Sequence, residues 1–74
     1  MEKYMHKHSL FFPGIERGNA ALEWLLDNLE GIEEWDFSYD GTALLFWTAL
    51  ALSEQQQHII ASTVAPVSFL SEEL

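Results

Sequence analysis

The side chains with most scope for chemistry in this 74-residue chain are its histidines and its carboxylates. His6 and His8 stand two apart, so on an extended strand they share one side, and two same-face histidines can begin a metal site. No carboxylate or third histidine stands at ligand spacing beside them, and without cysteine no thiolate can complete the set. No metal or cofactor is therefore expected, and the pair is read as two partly exposed surface histidines. Glu33 and Glu34 could in principle share acid–base work, but they fall in a loop and strand start, and so short a chain rarely encloses a pocket. No serine lies in a G-x-S-x-G elbow, and glycines at 14, 18, 31 and 41 are too scattered for a phosphate loop. Catalysis is not expected.

The carboxylates carry more meaning as a set. Twelve acids against three bases give a net charge of −9, and Lys3, Lys7 and Arg17 are the only Lys or Arg. Glu2 and Glu16 precede Gly18, so the other ten carboxylates all lie from Gly18 to Leu74, where there is no Lys or Arg to pair with them. Such a field repels nucleic acid, whose affinity comes from neutralising phosphate with Lys and Arg, and it repels anionic membrane surfaces. It attracts a basic protein surface and speeds encounter with it, although solubility alone is a simpler use for the charge.

Seven acids fall within eighteen residues: Glu23, Asp27, Glu30, Glu33, Glu34, Asp36 and Asp40. The first three recur at i, i+4 and i+7 and form a stripe along one flank of a helix. Side chains two apart on a strand stand ~6.5–7 Å from each other, so Glu34, Asp36 and Asp40 form a row. Trp24 lies almost opposite the leucines of the same helix, next to Asp27 and near Glu23. A large aromatic among acids has the make-up of an interface anchor, unless the N-terminal strand or the C-terminal tail folds over it. These eight residues form the expected partner-binding surface.

The elements that must position them follow from periodicity. Trp35, Phe37 and Tyr39 alternate with Glu34, Asp36, Ser38 and Asp40, the pattern of a strand with one buried and one wet face. Asp40-Gly41 suits a two-residue type I′ turn, which sets Phe37 opposite Leu44, Trp35 opposite Phe46, Asp36 opposite Leu45 and Glu34 opposite Trp47. The run Ala43 to Leu52 is apolar on both sides, so it belongs mid-sheet with both faces covered. One long helix from Thr42 to Val64 is the competing reading of that run.

Tyr4 to Phe12, closed by Pro13-Gly14, reads as another strand, and Ile15 to Gly18 as a connection. Asn19 can cap a helix whose Leu22, Leu25, Leu26 and Leu29 face inward and which Gly31 ends. Ser53 and Gln56 match a capping box, which starts a second helix at Glu54 that runs to about Ala65 before Pro66. Its inward face would be Gln56, Ile59, Ile60 and Thr63, with Val64 at the margin and His58 toward solvent. Val67 to Leu74 is left either docked or frayed. The expectation is one α+β domain over residues 1–74, β-α-β-β-α, with a three-stranded antiparallel sheet and two helices on one face. The tail or a second subunit would close the other face, which points to a homodimer.

Missing cysteines suit a reducing cytoplasm. The N-terminus has neither a continuous apolar segment nor a small-residue cleavage site, and the most apolar uncharged stretch, Gly41 to Ser53, is well short of the ~20 residues of a membrane helix. A soluble cytoplasmic protein is expected. In composition the chain resembles inhibitor proteins that act as nucleic-acid mimics, and small immunity proteins. That likeness implies an inhibitor that docks on a basic nuclease or nucleic-acid-binding protein without itself binding nucleic acid. The alternatives are a self-associating assembly subunit or an immunity or antitoxin-type protein.

Overall fold

The computed structural model describes residues 6–74. Its elements are β1 (His6–Phe11), α1 (Ile15–Asn28), β2 (Ile32–Phe37), β3 (Ala43–Thr48), α2 (Glu54–Ile59), a π-helical turn (Ile60–Val64) and β4 (Ser68–Glu73). The strands form one antiparallel sheet in the order β2-β3-β1-β4. β1 and β2 thus run parallel with β3 between them, and β3 and β4 run parallel with β1 between them. Two interlocked split β-α-β units result, the ferredoxin-like connectivity. A fourth strand corrects the three-stranded expectation, because Val67 to Leu74 docks along β1. Its entry is fixed by the Val67 amide donating to the Phe11 carbonyl at 2.7 Å. Tyr4 and Met5, the start of the expected first strand, lie outside the described residues.

The β2–β3 hairpin keeps the expected register: Glu34 pairs with Trp47, Trp35 with Phe46, Asp36 with Leu45 and Phe37 with Leu44. The turn differs. Gly41 has a φ of +76°, but Asp40 is not left-handed, and a type I′ turn needs both. The connection is longer, closed by Ser38 N–H to the Ala43 carbonyl at 2.9 Å and Gly41 N–H to the Ser38 carbonyl at 3.0 Å. Asp40 ties it internally, accepting from the Thr42 hydroxyl at 2.7 Å, the Thr42 amide at 3.1 Å and the Ser38 hydroxyl at 2.9 Å. The Thr42 hydroxyl, then its amide, and the Ser38 hydroxyl hold the Asp40 carboxyl below the usual range. β3 ends at Thr48, so the run to Leu52 is strand for only its first part.

α1 begins at Ile15, four residues before the expected cap, and Asn19 lies exposed inside it. Gly14 is the N-cap, with no side-chain cap bond. Contacts with the hairpin explain the early start. A Cβ on Gly41 would lie 2.6 Å from Ile15 Cδ1, and a Cβ on Gly18 would lie 3.1 Å from Phe37 Cε1. Gly18 costs ~1 kcal/mol of helix propensity relative to Ala, but its bare backbone lets α1 close on β2. The buried residues of α1 are Gly18, Ala21, Leu22 and Leu25. The inward face is therefore rotated toward the small residues, which leaves Leu26 49% exposed instead of buried. The helix ends at Asn28, and Gly31 turns the chain with φ +88° only after Leu29 and Glu30.

The capping box at α2 forms as expected: Ser53 Oγ accepts from Gln56 N–H at 3.1 Å and Gln56 Oε1 from Ser53 N–H at 2.8 Å. The helix then widens into the π turn, whose end is marked by Ala65 N–H donating to the Ile60 carbonyl at 3.2 Å and by a left-handed Ala65. Ile60 is buried as expected and Val64, expected at the margin, is buried with it, while Ile59 and Thr63, expected inward, stay exposed. Both helices pack on one side of the sheet: Leu10, Leu44 and Phe46 meet Leu25 from α1 and Ile60 and Val64 from the π turn in a single cluster. At ~1.5–3 kcal/mol for each fully buried large side chain, this layer holds the fold together.

Candidate functional site

Among the described residues, the opposite side of the sheet carries no helix. Pairing registers define what stands there: Glu34 and Asp36 on β2, Ala43, Leu45 and Trp47 on β3, Lys7, Ser9 and Phe11 on β1, and Ser68, Leu70 and Glu72 on β4. One row reads Asp36, Leu45, Ser9, Leu70, and the next reads Glu34, Trp47, Lys7, Glu72. Phe11 is 39% exposed and Leu70 51% exposed, while Leu45 and Trp47 are half-buried. This face was expected to be closed by the tail or by a second subunit. The tail instead lengthens the sheet as an edge strand, because its Ser68-Phe69-Leu70-Ser71 alternation finds an unpaired edge on β1.

The eight residues singled out from the sequence do not form one surface. Glu23 and Asp27 are exposed on α1, in the layer behind the sheet. Glu30 lies beyond the end of the helix, so the expected three-carboxylate stripe stops at Asp27. Glu30 and Glu33 border a cleft of about 350 Å³ with Thr48, Leu50, Leu52 and Gln56. Glu33 occupies the register shift between Ile32 and Glu34, so it leaves the strand's alternation. Glu34 and Asp36 stand on the uncovered face, and Asp40 is held in the hairpin connection.

Trp24 is half-buried against the core, while the described part of the N-terminal strand and the tail are both strands of the sheet. It lines a groove of about 290 Å³ with Arg17, Ala20, Thr63, Val64 and Ala65, between α1 and the π turn. Arg17 Nη2 donates to the Ala65 carbonyl across that groove at 3.4 Å. Trp35 and Phe37 are on the helix side of β2, yet Trp35 is 44% exposed because β2 is an edge strand that the helices only partly overhang. Tyr39, expected on the same buried face, is fully exposed in the connection.

Sequence reasoning missed a polar chain inside the core. His8 is 1% exposed, not a surface residue, because β1 alternation places it with Leu10 and Phe12 on the helix side. Its Nε2 lies 2.9 Å from Thr48 Oγ1, and its Nδ1 lies 2.7 Å from Ser71 Oγ. The Thr48 hydroxyl proton is already donated to the Leu50 carbonyl at 2.7 Å, so Nε2 must donate to Thr48 and Nδ1 must accept from Ser71. The neutral ring is thus satisfied at both nitrogens and links β4, β1 and β3. Burial, then the neighbouring His6, lowers its pKa from 6.5 to about 4. A base so weak is poorly matched to activating Ser71 near neutral pH, and the chain acts as a fastening inside the fold. The available signal was the i, i+2, i+4 placement of His8, Leu10 and Phe12.

Compared with known proteins, this chain matches no family model, no curated protein and no solved structure. Its connectivity alone assigns no activity, since one fold serves many sites. Among the described residues no group of three or more His, Asp or Glu could hold a metal, and no helix is long and apolar enough to cross a membrane.

Proposed function

We propose that this is a small acidic binding module of the cytoplasm that docks on a basic protein and inhibits it. The target class is a nuclease or another nucleic-acid-binding protein, whose phosphate-binding surface the carboxylates occupy in place of nucleic acid. One observation carries the reading. Glu34 and Asp36 stand on the uncovered side of the sheet, directly across from Trp47 and Leu45. Fixed negative charge and apolar contact area thus share a surface, in a chain with no Lys or Arg after Arg17. Charge supplies steering and register, and apolar burial supplies affinity. Glu23 and Asp27 lie in the other layer and contribute only to the long-range field under this reading, and Trp24, in the same layer, lies outside the contact.

The test is binding to basic nucleic-acid-binding proteins at rising salt, with DNA as competitor. Affinity should fall with ionic strength, and the double reversal Glu34→Lys with Asp36→Lys should weaken it by about tenfold or more. Binding indifferent to salt and to the reversal would count against the proposal. Competition with DNA separates a mimic from an immunity-type inhibitor, which blocks its target elsewhere. A second reading, self-association as an assembly subunit or homodimer, is favoured by the exposed Phe11 and Leu70. Light scattering distinguishes it: a strict monomer at high concentration removes it.

A further inference from the structure

We propose that the uncovered sheet face, centred on Ser9 and anchored by Trp47, is where the basic partner docks. The partner segment it takes carries apolar side chains flanked by lysines or arginines. This rests on the binding-module reading and its choice of face, and adds how far the contact extends across β1 and β4 and what chemistry must meet it. Leu45 and Leu70 pair with Ser9 from either side, Phe11 stands one same-face position along β1, and Trp47 lies diagonally across β3. Ser9 is only 7% exposed, and its same-face neighbours Leu45, Leu70 and Phe11 are all apolar, so they surround it with apolar surface. Contiguous exposed apolar area with a polar rim marks an interaction surface.

The rim chooses among occupants. Glu34 and Asp36 border the patch along β2, and Glu72 borders it on β4. Lys7 is the only cation on this face among the described residues, and it pairs across the strands with Glu72. A second copy would bring another −9 and the same rim acids against these. Nucleic acid and anionic lipid are opposed by the same sign. A cationic segment with apolar anchors meets both the rim and the patch, and Trp47 supplies the kind of aromatic centre on which binding energy concentrates.

Two synthetic peptides of equal positive charge test this, one with lysines around a leucine face and one with those leucines replaced by serine. The three tryptophans report from separate places: Trp24 in the groove behind the sheet, Trp35 at the β2 edge and Trp47 on the uncovered face. Their indole N–H signals are assigned with single Trp→Phe variants. The leucine peptide should bind about tenfold tighter than the serine peptide and shift the Trp47 indole with the Ser9 and Leu70 amides, leaving Trp24 still. Leu70→Ser should weaken the leucine peptide by roughly fivefold or more at an unchanged melting temperature. Equal affinity for both peptides, or shifts centred on Trp24 and α1, would overturn the face while leaving a charge-driven binding module in place. If neither peptide binds at low salt, the binding-module reading falls with it. Concentration-dependent shifts of the same signals without peptide would overturn it in favour of a second copy.

Discussion

The two faces of the sheet use the same strands to different ends. On the helix side Leu10, Leu44 and Phe46 are fully buried, and the one polar ring among them, His8, is bonded at both nitrogens. On the other side the same strands present Leu45, Trp47, Phe11 and Leu70 beside carboxylates, and no helix among the described residues packs on that side. β3 is apolar on both sides, yet only one side is packed by its own chain. Apolar character in a strand thus states that a face will be removed from water, and leaves open whether the chain itself or a partner removes it.

Adjacent residues on β3 give the sharpest way to break this contrast. Phe46→Ala should cost ~3–5 kcal/mol in chemical unfolding, enough to threaten so small a domain. Leu45→Ala, one position along and on the opposite face, should cost clearly less, about 1–2 kcal/mol, since its side chain is only partly buried. Equal losses would mean that the uncovered face is packed in solution, and the distinction drawn here would fail.

The next effect concerns the hairpin connection that α1 packs against. Gly41→Val places a β-branched side chain at φ +76° and drives its Cβ toward Ile15. A loss of about 2–4 kcal/mol is expected from backbone strain and overpacking together. A wild-type melting temperature would show that neither the turn nor the start of α1 is as described.

His8 sharpens the comparison through pH. The unfolded chain takes up a proton at this ring below about pH 6.5, and the folded protein only near 4. Above 6.5 the ring is neutral in both states and costs nothing. As pH falls from 6.5 to 4 the unfolded state gains, and stability declines by up to about 3 kcal/mol. The measurement is the difference between wild type and His8→Gln in unfolding free energy across that window. Wild type should lose stability relative to His8→Gln as pH falls from 6.5 to 4, and parallel curves would place His8 in solvent.

Much of the fold was legible in local pattern. The β2–β3 register follows from the spacing of Trp35, Phe37, Leu44 and Phe46 about the Asp-Gly pair, and it survives a longer connection than the one expected. The capping box of Ser53 and Gln56 marks the start of α2. Less of the candidate site was legible. Glu34 and Asp36 were correctly set opposite Trp47 and Leu45, but the helix acids and Trp24 were joined to them only by nearness in sequence, and the fold divides them between two layers. Phe11, Leu70 and Glu72 escaped notice because the tail gave no evidence of docking until β1 supplied its partner.

By itself, then, the amino-acid sequence determined the things that neighbouring residues decide among themselves: alternation, hairpin register, the cap of α2 and the sign of the charge. Only the tertiary structure decided the start of α1, where Ile15 and Gly18 fit against Gly41 and Phe37, and the burial of His8 between Thr48 and Ser71, residues 40 and 63 positions away. It also decided which side of β3 the helices cover. Both sides are apolar enough to be buried, and two short helices can cover only one of them.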